Sequence, residues 1–243
     1  EKLRETRVLT GFTRVLPEND LTLEQKMNLL WLKKPDPKWL PAYVVHGEGI
    51  FFGFDESRLS EWENREDVQA RIRPLITNLE KRAVSRGYIF KEITPRFVLL
   101  HTFAHVLINR LTFECGYSTA SLRERLYVSN NPDAPMAGVL IYTAAGDSEG
   151  TMGGLVRMGK PKYLEPVLRR ALEGAKWCSA DPVCMEMGDS GGQGPDSCNL
   201  AACHSCALVP ETACEEFNRF LDRALLVGSL ANPDLGFFAG LFK

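Results

Sequence analysis

The sequence predicts an α+β fold, a mixed helical and small-sheet domain with a cysteine-rich, zinc-stapled segment near the C-terminus. Three observations carry this prediction. The stretch from Phe97 to Leu111 is apolar around its whole circumference, which is typical of a buried helix. Short β-branched and aromatic runs bounded by turn residues indicate strands. Six of the seven cysteines lie between Trp177 and Cys214, in a segment with little helical or strand periodicity.

Composition limits the kinds of protein that this chain can be. Apolar residues make up 44% and charged residues 25%, which is ordinary for a globular domain. The net charge of −2 argues against a polybasic nucleic-acid binder, so any such contact must be a local patch or come from a partner. The chain has no apolar run of membrane-spanning length and does not begin with Met. We therefore expect a cytoplasmic protein and a piece of a longer chain.

We predict two parts, residues 1–92 as an N-terminal α/β portion and residues 93–243 as a domain built around the buried helix. In the first part, residues 7–16 are read as a short strand or a turn-containing pair, and residues 21–32 as a weak helix. Two strands, 43–45 and 49–54, are expected on either side of a polar turn. Residues 57–87 have helical periodicity, with Pro74 expected to kink or divide the helix.

The buried helix of the second part has a clear start, because Thr94 is a good N-cap and Pro95 occupies the favoured first position. It carries His101 and His105, which share a face at i and i+4 spacing. Thr102 stands where a zinc protease has its general-base glutamate. The favoured interpretation is two hydrogen-bonded core histidines, and the alternative is a metal site.

The elements that follow are shorter. Ser118 is predicted to cap a helix through residue 125, and strands are expected at 126–128 and 138–143. The glycine-rich residues 144–155 lack nucleotide-binding fingerprints and are read as a strand-to-helix connection. Residues 163–176 form a clear amphipathic helix. A final helix is expected to begin at a capping box, Thr212 to Glu215, and the apolar tail 235–242 to pack on the domain or on a partner.

The cysteine segment indicates a metal site. Cys203 and Cys206 have the spacing with which one tight turn offers two thiolates to a tetrahedral zinc ion. Cys214 and one upstream cysteine are expected to complete a four-cysteine zinc site that staples the segment. Cys214 would lie in the first turn of the final helix, where the helix dipole favours a thiolate. A disulfide framework is the alternative, although the odd number of cysteines does not favour it.

The basic side chains offer a second candidate site. Seven of them are candidates for a DNA-binding patch, although several can equally be solvated charges: Arg123, Arg125, Arg157, Lys160, Lys162, Arg169 and Arg170.

Several motifs resemble a known family. The stretches 138–143, 202–206 and 214–223 are similar to the C-terminal zinc-binding domain of MrfA-type DNA-repair helicases. The upstream motifs at 9–14, 47–56, 100–105 and 116–127 resemble the B subunit of the DISARM antiphage system. The resemblance extends from about residue 4 to residue 227.

This resemblance implies a non-catalytic, zinc-containing subunit that forms a heterodimer with the DISARM helicase and helps it to engage DNA. It places three zinc ligands at Cys203, Cys206 and Cys214. For the fourth, Cys184 is preferred over Cys178 and Cys198, because the turn from Asp181 to Cys184 resembles the family pattern. The alternatives are a metalloenzyme that uses His101 and His105, and a protein-interaction module with no role on DNA.

Overall fold

The structure is a computed structural model, which describes residues 2–9, 22, 24, 39–86, 92–131, 133–143, 153–188 and 190–242. Most of the predicted helix at 21–32, most of the stretch 7–16 and most of the glycine-rich stretch 144–155 lie outside these residues. The strands are β1 (Lys2–Val8), β2 (Ala42–Gly53), β3 (Leu122–Ser129) and β4 (Met136–Thr143). The helices are α1 (Glu56–Glu63), α2 (Glu66–Arg86), α3 (Pro95–Cys115), α4 (Gly154–Met158), α5 (Pro161–Ala175) and α6 (Arg223–Val227).

The four strands form one antiparallel sheet in the order β1-β2-β4-β3. The prediction of two strands around a polar turn at residues 46–48 is wrong, because β2 runs through it without a break. The first part of β2 pairs with β1 and its last five residues pair with β4. Glu48, the polar residue that suggested a turn, is buried. Its carboxylate accepts hydrogen bonds from the hydroxyl of Tyr117, at 2.7 Å, and from the amides of Gly153 and Val156.

The predicted helix from Ser118 to residue 125 is also wrong in extent. Ser118 caps only a single 3-10 turn, Thr119–Ser121, through a hydrogen bond from the amide of Ala120. The chain then enters β3 at Leu122. Strand geometry turns alternate side chains to opposite faces, so Glu124 points into the protein while Arg125 is exposed.

Helix α3 forms the centre of the core, as predicted. The hydroxyl of Thr94 accepts a hydrogen bond from the amide of Phe97 at 3.3 Å, Pro95 opens the first turn, and Gly116 ends the helix in the left-handed region. The helix packs against β3, β4, α5 and α6. Apolar side chains on every side of it are buried, including Val98, Leu99, Leu100, Ala104, Leu107, Ile108 and Leu111.

The helical region before α3 divides at a different place from the one predicted. Asp55 caps α1 by accepting a hydrogen bond from the amide of Arg58 at 2.8 Å, and α1 ends at Glu63, with Asn64 as its C-cap residue. Pro74 lies inside α2, which continues past it to Arg86. The break is therefore set by the polar residues 64–65 and not by the proline.

The final helix is much shorter than predicted. Instead of beginning at the proposed capping box, the chain makes a 3-10 turn, Glu211–Ala213, and Cys214 is extended. Phe217, Asn218 and Phe220 then adopt left-handed backbone angles, which no helix accommodates. Asn218 stabilises this path, because its side chain accepts a hydrogen bond from the amide of Val209 and donates one to the carbonyl of the same residue. Helix α6 begins only after Asp222.

The apolar tail packs back on the domain, which was one of the two expectations for it. The indole of Trp62 donates a hydrogen bond to the carbonyl of Leu235 at 2.8 Å. The rings of Phe237 and Phe238 then contact Trp62, Phe54 and Phe103. The tail thereby packs on the aromatic side chains that link α1, the end of β2 and α3.

The predicted fold class is confirmed: helices pack on a small sheet, and a cysteine cluster lies near the C-terminus. Strands and core residues from both sides of residue 92 share one sheet and one core, and the division at that residue stays a prediction. In the part of the chain that the structure describes, no helix is both long and apolar enough to span a lipid bilayer.

Leu107 provides a test of the central position of α3. Its side chain is 1% exposed, whereas Phe113 on the same helix is 79% exposed. We expect Leu107→Ala to lower the free energy of unfolding by about 2 to 5 kcal/mol, since it leaves a cavity in a packed core. Chemical denaturation measures this loss, and Phe113→Ala is the matched control. Equal effects of the two substitutions would contradict the assignment of α3 as the core helix.

Candidate metal centre

The cysteines of the C-terminal segment are positioned by short turns. Cys178 follows the end of α5, and Cys184 directly precedes a 3-10 turn, Met185–Gly188. Cys203 and Cys206 share one tight turn, in which the amides of Cys206 and Ala207 donate to the carbonyl of Cys203, each at 3.1 Å. These turns direct the cysteine side chains of the segment toward one point.

Four sulfur atoms converge there, those of Cys178, Cys184, Cys203 and Cys206, all within 4.8 Å of one another. Neighbouring sulfurs are 3.5 Å apart for Cys178 and Cys203, 3.7 Å for Cys203 and Cys206, and 3.9 Å for Cys184 and Cys206. A tetrahedral zinc ion with Zn–S bonds of about 2.3 Å requires sulfur separations of about 3.8 Å. All four are free thiols, so the structure does not support the disulfide alternative.

This cluster differs from the predicted ligand set in one position. Cys184, Cys203 and Cys206 are together, as predicted, but Cys178 occupies the place that the sequence reasoning gave to Cys214. Cys214 lies instead beside His101, with 3.2 Å between its sulfur and Nε2. The helix-dipole argument for Cys214 fails because no helix begins there. Cys198 lies outside the sulfur cluster and away from His101, and its thiol contacts the carbonyl of Asp196.

A buried arginine supports the sulfur cluster. Arg223 is fully buried and donates hydrogen bonds to the carboxylate of Asp181 and the carbonyl of Ala175, at 2.7 and 2.8 Å. The hydrogen bond from Cys206 lowers the pKa of Cys184 to about 5, and Arg223 and Gln193 add to this effect. The Cys184 thiolate is therefore present at neutral pH, in the form that binds a metal.

The arrangement has the chemistry of a structural site. Four thiolates fill a tetrahedral shell, so a zinc ion held here has no open position for water or substrate. It would link the end of α5 to the turns that precede α6. We propose Cys178, Cys184, Cys203 and Cys206 as its ligands.

The seven predicted basic residues are not gathered at one place. Arg157 and Lys162 both lie over the ring of Tyr163, at 5.2 and 4.8 Å from its centre, and Lys160 is the N-cap residue of the same helix. The hydrogen bond with Arg157, together with Lys162, lowers the pKa of Tyr163. These three basic residues are exposed. They form the group that we call the Tyr163 basic cluster.

The other four basic residues have separate surroundings. Arg125 pairs with Glu215, and Arg170 pairs with Glu114 at 2.9 Å. Arg169 lines an apolar groove beside Leu168 and Phe238, and Arg123 is a half-buried residue of β3. Ion pairing makes Arg125 and Arg170 less available to a phosphate than the Tyr163 basic cluster.

A second group of potential ligands was only partly anticipated. His101 and His105 of α3, Glu124 of β3 and Cys214 are all buried, and one ligand atom from each lies within 4.8 Å of the others. Burial alone would raise the pKa of Cys214, and the contacts with the two histidines lower it below its ordinary value. Glu124 was missed because its segment was predicted to be helical. The sequence signal was the alternation of side chains along residues 122–128. In a strand, Glu124 shares a face with the apolar Leu122 and Leu126 and therefore points into the protein.

The sequence of this chain is similar to known proteins. Residues 103–207 match the family described as the MrfA Zn-binding domain. The match includes all four cysteines of the sulfur cluster and ends before Cys214. Residues 103–207 are thus similar to a zinc-binding domain of this class, and the four clustered cysteines within them support zinc as the cofactor.

A particular relative is also found. The DISARM protein DrmB of Bacillus paralicheniformis is 40% identical to this chain over 244 aligned positions, which cover 99% of the chain. The chain spans 42% of the length of that relative. The similarity to the DISARM B subunit, with an MrfA-type zinc-binding domain inside it, is therefore confirmed for this chain.

The proposed ligand set can be tested at Cys178, which the sequence left open. We expect Cys178→Ser to lose the thiolate-bound zinc and, with it, folding free energy, because the metal is part of the folded state. Metal analysis of the purified protein and thermal unfolding measure both effects. Cys198→Ser is the matched control, since it removes a buried thiol outside the cluster. Loss of zinc from the Cys198 variant and not from the Cys178 variant would contradict the assignment.

Proposed function

We propose that this chain is a non-catalytic, zinc-stabilised part of a DISARM antiphage defence protein that partners a DNA helicase and helps it to engage DNA. The observation that carries the proposal is the 40% identity to DISARM protein DrmB across nearly the whole chain. The protein would act in the cytoplasm, where reducing conditions keep its cysteines free to bind metal.

The non-catalytic part of the proposal rests on the surroundings of the candidate ligands. The sulfur cluster offers four thiolates, which leave a zinc ion no exchangeable position. The metalloenzyme alternative places its metal at His101 and His105, but both side chains are buried, as are Glu124 and Cys214 beside them. A substrate would need an open path to such a metal. A structural role for both groups fits the burial better.

The DNA part of the proposal is supported by the Tyr163 basic cluster. Arg157, Lys160 and Lys162 are exposed on a chain whose net charge is −2, so they form a local positive region and not a general one. Lysine and arginine side chains contact phosphates without reading sequence. Such a patch suits a subunit that holds a DNA strand near a partner's motor.

The helicase partnership can be tested directly in cells. We expect the tagged protein to co-purify with the helicase subunit of its own defence system, and phage resistance to fall when the Cys178→Ser variant replaces the wild type. Plaque counts and co-purification measure the two effects, with Cys198→Ser as the control for both. Full resistance without any helicase association would contradict the proposal.

A second experiment separates DNA engagement from a pure protein-interaction role. We expect Lys160→Gln/Lys162→Gln to weaken DNA binding by the helicase-bound protein and to reduce the slope of log affinity against log salt by about two, roughly one for each phosphate that is no longer neutralised. Binding titrations at several salt concentrations measure this. Arg73→Gln/Lys81→Gln is the charge-matched control, because both side chains are exposed on α2. Equal effects of the two variants would leave only non-specific attraction and would refute a role for the Tyr163 basic cluster.

A further inference from the structure

The group formed by His101, His105, Glu124 and Cys214 has no role in the proposed function. Its members come from three parts of the fold: both histidines from α3, the glutamate from β3 and the cysteine from the irregular chain after the 3-10 turn Glu211–Ala213. Each of the four side chains is buried in the core. Burying a carboxylate, a thiol and two imidazoles together is costly unless each finds a partner.

One distance within the group is too long for a hydrogen bond. Nε2 of His105 and Oε2 of Glu124 face each other at 3.6 Å, which is longer than a hydrogen bond. Among the residues that the structure describes, neither atom has a hydrogen-bond partner. Two buried polar atoms that lie close together without a hydrogen bond indicate a shared binding partner, such as a metal ion.

The other distances are within a few tenths of an ångström of those between ligands of one metal ion. Nε2 of His101 is 3.1 Å from Oε1 of Glu124 and 3.2 Å from the sulfur of Cys214. Bonds of about 2.0 to 2.3 Å from zinc to nitrogen, oxygen and sulfur place neighbouring tetrahedral ligands about 3.3 to 3.6 Å apart. Imidazole, carboxylate and thiolate are the three ligand types that zinc accepts in proteins.

We propose that His101, His105, Glu124 and Cys214 bind a second zinc ion, separate from the one at the sulfur cluster. With four protein ligands and no exposed side, this ion is structural. It ties α3, β3 and the chain at Cys214 to one point, where the predicted capping box and helix do not form.

The atoms around the group support this assignment. Nδ1 of His105 is 2.8 Å from the carbonyl of Ala207, which fixes the ring and leaves Nε2 directed into the group. The amide of Glu215 donates to Glu124 at 3.1 Å. The amides of Glu216 and Asn218 donate to the sulfur of Cys214, at 3.3 and 3.2 Å. Donors aimed at a carboxylate and a sulfur stabilise both as anionic ligands.

The wild-type protein provides the first test, which needs no substitution. We expect two zinc ions per chain by elemental analysis. The two ligand sets together supply five sulfur atoms and three nitrogen or oxygen atoms. X-ray absorption at the zinc edge should therefore report a mixed shell in that ratio. Fewer than two zinc ions per chain, or a shell of sulfur alone, would overturn the proposal.

Variants provide the second test. We expect Cys214→Ala and Glu124→Gln each to lose one zinc ion and to leave a shell of sulfur alone, whereas Cys178→Ser loses the other ion and leaves a shell dominated by nitrogen and oxygen. Cys198→Ala should retain both ions. A Cys214→Ala protein that stays folded and keeps both zinc ions would overturn the proposal. The outcome does not depend on DNA or helicase binding, so it is distinguishable from failure of the proposed function.

Discussion

The constraint on which the C-terminal half depends is the convergence of four sulfurs on one point. Between the end of α5 and the start of α6, the residues that the structure describes form only turns, short 3-10 segments and a single isolated bridge, Gln193 with Asn199. Regular helices and strands therefore contribute little to the order of this stretch, and ordering it costs conformational entropy. Bonds from the four proposed thiolate ligands to one zinc ion would supply that stabilisation, as metal binding does in other irregular domains.

A buried ionic network carries this constraint into the rest of the protein. Arg223 links the sulfur cluster to Asp181 and to the end of α5, and its neighbour Asp222 pairs with Arg71 of α2 at 2.8 Å. The amide of Asp222 also donates to the hydroxyl of Thr102 on α3. Removing one partner of such a pair leaves an uncompensated buried charge, which is far more costly than losing a surface pair. The cluster, α2 and α3 are thus positioned together.

Sequence reasoning could predict the elements whose signals are local. The apolar circumference and cap of α3, the amphipathic stripe of α5 and the pair Cys203 and Cys206 all depend on neighbouring residues. The errors at Glu48, Glu124 and Cys214 have a different origin. Each of these side chains is stabilised by atoms far away in the chain: Glu48 by Tyr117, Glu124 by His101, and Cys214 by the same histidine. When its distant partner is unknown, a polar residue is predicted from sequence to lie in a turn or at the surface.

The two groups of ligands are connected through one residue. Ala207 follows Cys206 directly, and its carbonyl contacts the ring of His105. The turn that presents Cys203 and Cys206 to the first group therefore also orients a member of the second group. Loss of zinc from the sulfur cluster would free this turn and with it the carbonyl that holds His105 in place. Outer contacts of this kind typically change metal affinity by about 10- to 100-fold, so loss of the first ion is expected to weaken the second site without emptying it. In this proposed arrangement, α3 supplies two histidines to which the second half of the irregular segment is tied, which links the packing of that segment against α3 to metal binding.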